Sequence, residues 1–342
     1  DASNEPIIGA TVQAVHQPSG SRYGTVTNVD GRYSIQGMRT GGPYRVEISY
    51  IGYQTVIYKD ITLQLGEVYN LNVEMSESSE LLNEVIVTAA KTKFTAEKTG
   101  ATTNISSAQM TQLPTVNRSI SDIARLSPYA NGMSFAGGDG RSTNFTIDGA
   151  NFNNNFGLSS NLPGGGNPIS MDAIEEVQVV VAPFDVRQTN FIGGGINAIT
   201  KSGTNTFRGT AYTYYRNQDM RGNRINGEDL GARSDESKTT YGFTLGGPII
   251  KNKLFFFVNY EKEKTPGEVI KYRAREDGED AKGMVSRTLK SDMEKVYNHL
   301  KDKYGYDAGS YTNFPADEEN TKLLARIDWN ITDRKSTRLN SS

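Results

Sequence analysis

Met171 to Asn205 reads MDAIEEVQVVVAPFDVRQTNFIGGGINAITKSGTN, and the rest of the chain is organised around it. Asp172, Ala173 and Ile174 form a short helical turn, and Val177 to Val181 is a β-branched run of the kind that fills strands. A Pro/Gly loop then leads to a second strand, Gly195 to Thr200. The consecutive glycines Gly193 to Gly195 predict positive φ or close backbone approach, neither of which tolerates a Cβ well. After Asn205 the texture changes to alternating aromatic and polar residues. The stretch is a hinge between two kinds of structure.

Composition narrows the classes on either side of this hinge. A length of 342 residues is enough for two or three domains. No cysteine is present, so there is no disulfide framework and no thiolate site. A net charge of −2 argues against a nucleic-acid partner. Thirty-five glycines and 18 tyrosines favour β-structure with many turns over a helical bundle. No apolar run reaches the roughly eighteen residues of a transmembrane helix, which leaves barrel strands open as a way across a membrane. The chain opens on DASNEP with neither a basic nor an apolar leader region, so a missing N-terminal portion is expected. Residues 333–342, DRKSTRLNSS, resemble the translation of a common sequencing adapter and are expected to be an artefact.

Taken in order, residues 1–75 predict a β-sandwich of several short strands. These are Ile7 to Val15, Gly24 to Thr27 and Arg32 to Ile35 around the turn Asp30-Gly31, Tyr44 to Tyr50, Thr55 to Tyr58, and Tyr69 to Met75. Residues 76–90 are a polar, acidic linker ending in Glu84, Val85, Ile86, Val87, Thr88 and Ala89. That segment either adds as a strand to a partner's sheet edge or serves as one more strand of a neighbouring domain. Residues 91–203 predict an α+β unit. Its helices are Ser107 to Leu113 and Ser119 to Leu126, the second N-capped by Ser119 with Ile120, Ile123 and Leu126 on one face. Thr143 to Ile147 is a strand with its turn at Asp148-Gly149. Asn151, Phe152, Asn153, Asn154, Asn155 and Phe156 open a polar, Gly-rich loop; amide groups and flat apolar faces suit a polar solute such as a peptide or glycan.

Residues 204–332 carry the alternation of a wall with lipid on one side and a polar lumen on the other. The strands are Thr206 to Asn217, Thr240 to Pro248, Lys253 to Glu263 and Thr321 to Thr332. Tyr241, Phe243 and Leu245, then Leu254, Phe256, Val258 and Tyr260, and finally Leu323, Ala325, Ile327, Trp329 and Ile331 form the lipid face. Phe255, Phe257 and Leu324 break the pattern and are expected to face a plug. The tight turn Ile249 to Asn252 should be periplasmic, and the long links 218–239 and 264–320 extracellular. Val285, Leu289, Val296 and Leu300 predict a helix inside the second long link.

Catalytic chemistry finds no support. His16 and His299, both expected at the surface, are the only histidines, and no HExxH or HxxE is present, so a zinc peptidase is rejected. Gly137 to Gly140 and Gly193 to Gly195 lack a phosphate-loop or dinucleotide pattern. The expectation is a protein that is not an enzyme and uses no cofactor or metal.

IEEVQVVVAP and GGGINAITK in the opening stretch resemble the end of the plug domain in TonB-dependent outer-membrane transporters. GGDGRSTNFTIDGANF (137–152) is similar to the plug hairpin of that family, and GGPIIKNKLFFFVNYE (246–261) to its Oar-like branch. Residues 7–55 resemble the carboxypeptidase regulatory-like domain that precedes Bacteroidetes-type members, a non-catalytic sandwich despite its name. Glu84 to Ala89 matches the family's TonB box, and AKTKFTAEKTGATT (90–103) departs from the glycan transporters that work with a lipoprotein lid.

The resemblance implies a β-rich multidomain protein: sandwich, α+β plug, and the first four or so strands of a transmembrane β-barrel that closes at about twenty-two. It implies energy-coupled import across the bacterial outer membrane. The sandwich and TonB box would be periplasmic, TonB with its inner-membrane motor complex the partner, and a peptide, glycan or protein the ligand. The alternative is an outer-membrane binding or adhesion protein that displays the sandwich without transport.

Overall fold

The computed structural model describes residues 5–77, 85–88, 101–113, 115, 118–153, 162, 167–181, 188, 192–222, 224–229, 236–267, 272–282, 284–311, 316–332 and 335–341. Two compact units emerge, one formed by residues 1–210, 243–260 and 322–342, the other by 211–242 and 261–321.

The first unit begins with the strands β1 (Thr11–His16), β2 (Ser21–Val26), β3 (Gly41–Ser49), β4 (Val56–Leu63) and β5 (Val85–Thr88). They form one sheet in the order β2-β1-β3-β4-β5. Its inner face packs Val12, Ala14, Tyr44, Val46, Ile48, Val56 and Ile61. The covering layer differs from expectation. Arg32 to Ile35 and Tyr69 to Met75 form no strand and belong to no ladder. They still alternate inward, since Tyr33, Ile35, Leu71, Val73 and Met75 pack on that face. Burial sets their side-chain alternation while few backbone bonds join them; Tyr33 Oη donates to Leu71 O at 2.6 Å. The first strand begins at Thr11 rather than Ile7 because Gly9 takes φ 77° and turns the chain.

The plug unit follows with β6 (Ala101–Ser106), α1 (Ser107–Gln112), α2 (Ile120–Ala124), the short pair β7 (Ala130–Asn131) and β8 (Ser134–Phe135), β9 (Asn144–Ile147), β10 (Ala150–Asn151), β11 (Ile174–Val181) and β12 (Gly194–Thr200). The main sheet runs β10-β9-β12-β11-β6. Ser119 caps α2 as the sequence predicts, its Oγ accepting from Asp122 N at 3.3 Å. Ile120 and Ile123 are fully buried, whereas Leu126 lies past the helix end and is exposed, correcting the predicted face. The glycine run answers to close approach. A Cβ on Gly194 would stand 2.7 Å from the Phe135 side chain, and Gly193 takes φ 103°.

The wall strands are β13 (Arg208–Asn217), then a small hairpin of β14 (Arg224–Ile225) and β15 (Glu228–Asp229), β16 (Ser237–Ile250) and β17 (Leu254–Thr265). A second pair, β18 (Arg273–Arg275) and β19 (Val285–Leu289), precedes α3 (Lys290–Tyr304), β20 (Glu318–Thr332) and β21 (Lys335–Ser341). The sheet order is β13-β16-β17-β20-β21, an open wall that does not close. Phe243, Leu245, Leu323, Ile327, Trp329 and Ile331 are exposed, as a lipid face requires. Phe257 and Leu324 belong to the same buried cluster as Phe145, Val177 and Ile196 of the plug, and Phe255 is fully buried. Two of the three breaks in alternation, Phe257 and Leu324, are thus contacts with the plug core. Residues 335–341 extend along β20 from Thr332↔Lys335 to Ala325↔Ser341, covering an edge expected to be open. Backbone pairing of this kind needs little side-chain identity.

Within the second unit the predicted helical stripe divides. Val285 and Leu289 lie in β19, and only Val296 and Leu300 lie in α3, which buries no residue fully. Ion pairs Lys238–Glu263 at 2.8 Å and Lys262–Glu319 at 2.9 Å join its strands, and Tyr212 Oη donates to Glu261 Oε2 at 2.8 Å.

Candidate functional site: a buried charge cluster and the Val85–Thr88 strand

Asp148 occupies the turn after β9 with φ 49°, a left-handed conformation that Asp tolerates better than most residues. The turn aims its carboxylate at the end of β12. Thr200 N donates to Asp148 Oδ1 at 3.2 Å and Thr200 Oγ1 to Oδ2 at 2.6 Å. Arg326 of β20 reaches the same point. Its Nη1 donates to Thr200 O at 2.7 Å and to Thr200 Oγ1 at 2.8 Å, and stands 3.7 Å from Asp148 Oδ1. Its Nε donates to Asp328 Oδ2 at 3.0 Å. Two residues apart on one strand, Arg326 and Asp328 share a face, and both are buried.

Arg39 of the sandwich enters this cluster. It donates to Ser202 Oγ at 3.3 Å and lies 3.6 Å from Asp328. Two guanidinium groups thus face two carboxylates in a buried setting, where each charge needs its partner. Plug, wall strand and sandwich meet here.

The sandwich touches the plug at a second point. Leu65 N donates to Glu176 Oε1 at 3.1 Å, while Leu65 O accepts from Asn104 Nδ2 at 3.1 Å and Gln178 Nε2 at 2.5 Å. Burial pushes the Glu176 carboxyl up to about 7, against the opposing pull of the Leu65 N–H and with help from Glu67 and Glu175. Burial also raises Glu175, a shift that Lys201, Arg208 and Arg326 reduce.

At a third point Asn205 N donates to Pro18 O at 2.8 Å and Asn330 Nδ2 to Ser21 Oγ at 2.9 Å. Ser21 Oγ is 2.8 Å from Ser19 Oγ, which is 2.6 Å from His16 Nδ1. His16 is therefore buried at a contact, not at the surface as expected, while His299 is exposed. Burial, with the Arg39 charge adding to it, pulls His16 down to about 4.

Val85 to Thr88 pairs in parallel with β4 in an unbroken register, Val56↔Val85 to Lys59↔Thr88. Glu84 and Ala89 lie outside the described residues, as do Asn154, Asn155 and Phe156. Asn153 Oδ1 accepts from Phe145 N at 2.6 Å and its Nδ2 donates to Asn144 Oδ1 at 2.8 Å, so this side chain fixes the hairpin. Phe152 packs on the plug core and Asn151 is exposed.

Sequence reasoning missed the charge cluster. Asp148 was legible only as a turn residue and Arg326 and Asp328 only as the polar phase of a wall strand. The available signal was a pair of opposite charges on a face that should be merely polar. Nothing in the sequence marked Arg39.

Residues 1–76 match the model of the carboxypeptidase regulatory-like domain, and residues 199–269 that of an outer membrane β-barrel domain. The TonB-dependent transporter Oar of Myxococcus xanthus is 25% identical over 279 residues, which cover 75% of this chain and 25% of that protein. The chain thus spans about a quarter of the length of this curated relative. Among solved structures, the outer membrane transporter YddB of Escherichia coli is 17% identical with a TM-score of 0.47, over 70% of this chain and 32% of that one. The siderophore receptor PirA of Pseudomonas aeruginosa is 18% identical with a TM-score of 0.45, over 71% and 33%. These relatives are transporters and receptors, not enzymes. The chain is thus similar over three quarters of its length to a TonB-dependent transporter, with a match to a carboxypeptidase regulatory-like domain ahead of a match to an outer membrane β-barrel domain.

Proposed function

We propose that this chain is the periplasmic and gating part of an energy-coupled importer, with 1–75 as sandwich, 76–90 as linker and TonB box, 91–203 as plug, 204–332 as the first wall strands and 333–342 as foreign sequence. The observation that carries the reading is the seat of the plug. A sheet built from β9, β11 and β12 is bonded to β20 through Arg326, Thr200 and Asp148, polar bonds that can be broken and remade, beside the apolar contact of Leu324. Substrate, a peptide, glycan or protein, binds plug apices such as Asn151 and the long extracellular loops. TonB, driven by its inner-membrane motor, engages Glu84 to Ala89 and pulls, and the plug rearranges to let substrate through. No covalent step is involved.

The test is Val87→Pro in the full-length protein. Proline removes a backbone donor from the segment, so uptake is lost while ligand binding at the cell surface is unchanged. Uptake at the parental rate removes the coupling role and leaves a surface-binding or adhesion protein.

A further inference from the structure

The segment expected to engage a partner and the fifth strand of the sandwich are the same residues. These two roles are compatible, because a strand has two edges. β5 stands last in the order β2-β1-β3-β4-β5, so pairing with β4 uses only one of them. In a parallel ladder the backbone groups of alternate residues point to opposite sides. About half of the N–H and C=O groups of Val85 to Thr88 therefore point away from β4. Among the described residues no strand meets that outer edge.

Sheets commonly guard such an edge with Lys, Pro, a bulge or an inward charge. Val85-Ile86-Val87-Thr88 has none of these, and its register with β4 contains no shift. The opposite edge strand, β2, carries Arg22. The Val87 side chain keeps 37% of its surface exposed, so the sandwich does not enclose it.

We propose that the sandwich presents the coupling strand rather than hiding it. β4 holds Val85 to Thr88 extended, and a strand of the periplasmic coupling protein adds to the outer edge of β5 as the sixth strand of the sheet. The inference rests on reading 84–89 as the coupling segment. Its physical advantage is preorganisation: residues already fixed as a strand lose less conformational entropy when the partner arrives. The recognising chemistry is main-chain hydrogen bonding beside uncharged, β-branched side chains, with no ionic contact from β5 itself.

The test is a lock. Tyr58 and Val87 are register partners, and neighbouring strands lie about 4.8 Å apart, within the Cα separation a disulfide spans. Tyr58→Cys combined with Val87→Cys is placed in the full-length protein in a cysteine-free background. Binding of the isolated periplasmic domain of TonB is then compared between the oxidised and reduced forms by biolayer interferometry. The proposal expects the oxidised form to bind as tightly as the reduced form, or up to about tenfold tighter. Loss of more than tenfold on oxidation, reversed by reductant, overturns it, because the strand must then leave β4 to bind. Hydrogen exchange of the unmodified protein gives a second reading. Adding the TonB domain should protect amides within 85–88 while protection at 56–59 persists; loss of protection at 56–59 overturns the proposal. A synthetic peptide of residues 81–92 separates the two levels. If the peptide fails to bind the TonB domain, the coupling reading itself falls, and the inference with it.

Discussion

Arg39 Nη2 stands 3.6 Å from Asp328 Oδ1, and both side chains are almost wholly buried. One belongs to the sandwich and the other to a wall strand, 289 positions later by residue number (328 − 39). The pair closes a cluster in which Arg326 already binds Asp328. The sandwich therefore takes part in the charge cluster that joins Thr200 to β20.

Removing either arginine should have unequal effects. Arg326→Met leaves Asp328 and Asp148 without their main cation and frees Thr200 O, so a loss of about 3–5 kcal/mol in the seating of the plug is expected. Arg39→Met leaves Asp328 still bound by Arg326 and should cost about half as much. Urea unfolding followed by proteolytic sensitivity of the plug reads both. Equal costs would show that Arg39 and Arg326 support Asp328 independently.

Two buried groups at the sandwich contacts, Glu176 and His16, should oppose each other in their pH dependence. Glu176 has its pKa raised from 4.5 to about 7, so the folded state holds the proton that the unfolded state gives up. Stability from this group is complete below about pH 4.5 and is lost progressively as pH rises from there through 7, a change on the order of 3 kcal/mol. His16 has its pKa lowered from 6.5 to about 4, so its contribution is complete above 6.5 and is lost as pH falls through 4. Thermal melts against pH should show a plateau between about pH 4.5 and 6.5, where the two opposite slopes offset each other, with a fall on either side. Glu176→Gln should leave stability rising from about pH 4 to 6.5, and His16→Phe should leave it falling from about pH 4.5 to 7.

Gly203 marks where the chain passes from plug to wall. A Cβ there would stand 2.4 Å from Phe256 O and 2.7 Å from Gly247 O, both backbone atoms that cannot swing aside. Gly203→Ala should destabilise by about 3 kcal/mol, whereas Gly222→Ala, with nothing within 4 Å of the new Cβ, should be close to neutral. Comparative heat-modifiability of the folded barrel on gels measures the difference.

The lipid face gives a fourth expectation. Phe243 is 45% exposed near the middle of β16 and neighbours the buried Thr244. Phe243→Arg should cost about 2–4 kcal/mol in membrane folding free energy, measured by reversible refolding into lipid vesicles. A cost near zero would place this residue outside the hydrocarbon region.

Local and periodic features were fixed by the amino-acid sequence alone. The Ser119 cap, the Asp148 turn, the strand through Val177 to Val181, the glycine approach at Gly193 and Gly194, and the lipid-facing phase of β16 and β20 all follow from side-chain type and spacing over a few residues, whereas Ile174 joins the strand and not the preceding turn. Phe257 and Leu324 violated that phase because they pack on the plug core. Tertiary structure decided the rest. Arg32 to Ile35 and Tyr69 to Met75 have strand alternation but join no ladder, because alternation specifies which face is buried and not which backbone is adjacent. His16 looked like a surface residue until Ser19, Ser21 and Asn330 closed over it. Arg39, Asp148, Arg326 and Asp328 were separate polar positions in the sequence. Only the packing of sandwich, plug and wall brought them within bonding distance, where low dielectric makes each charge depend on the others.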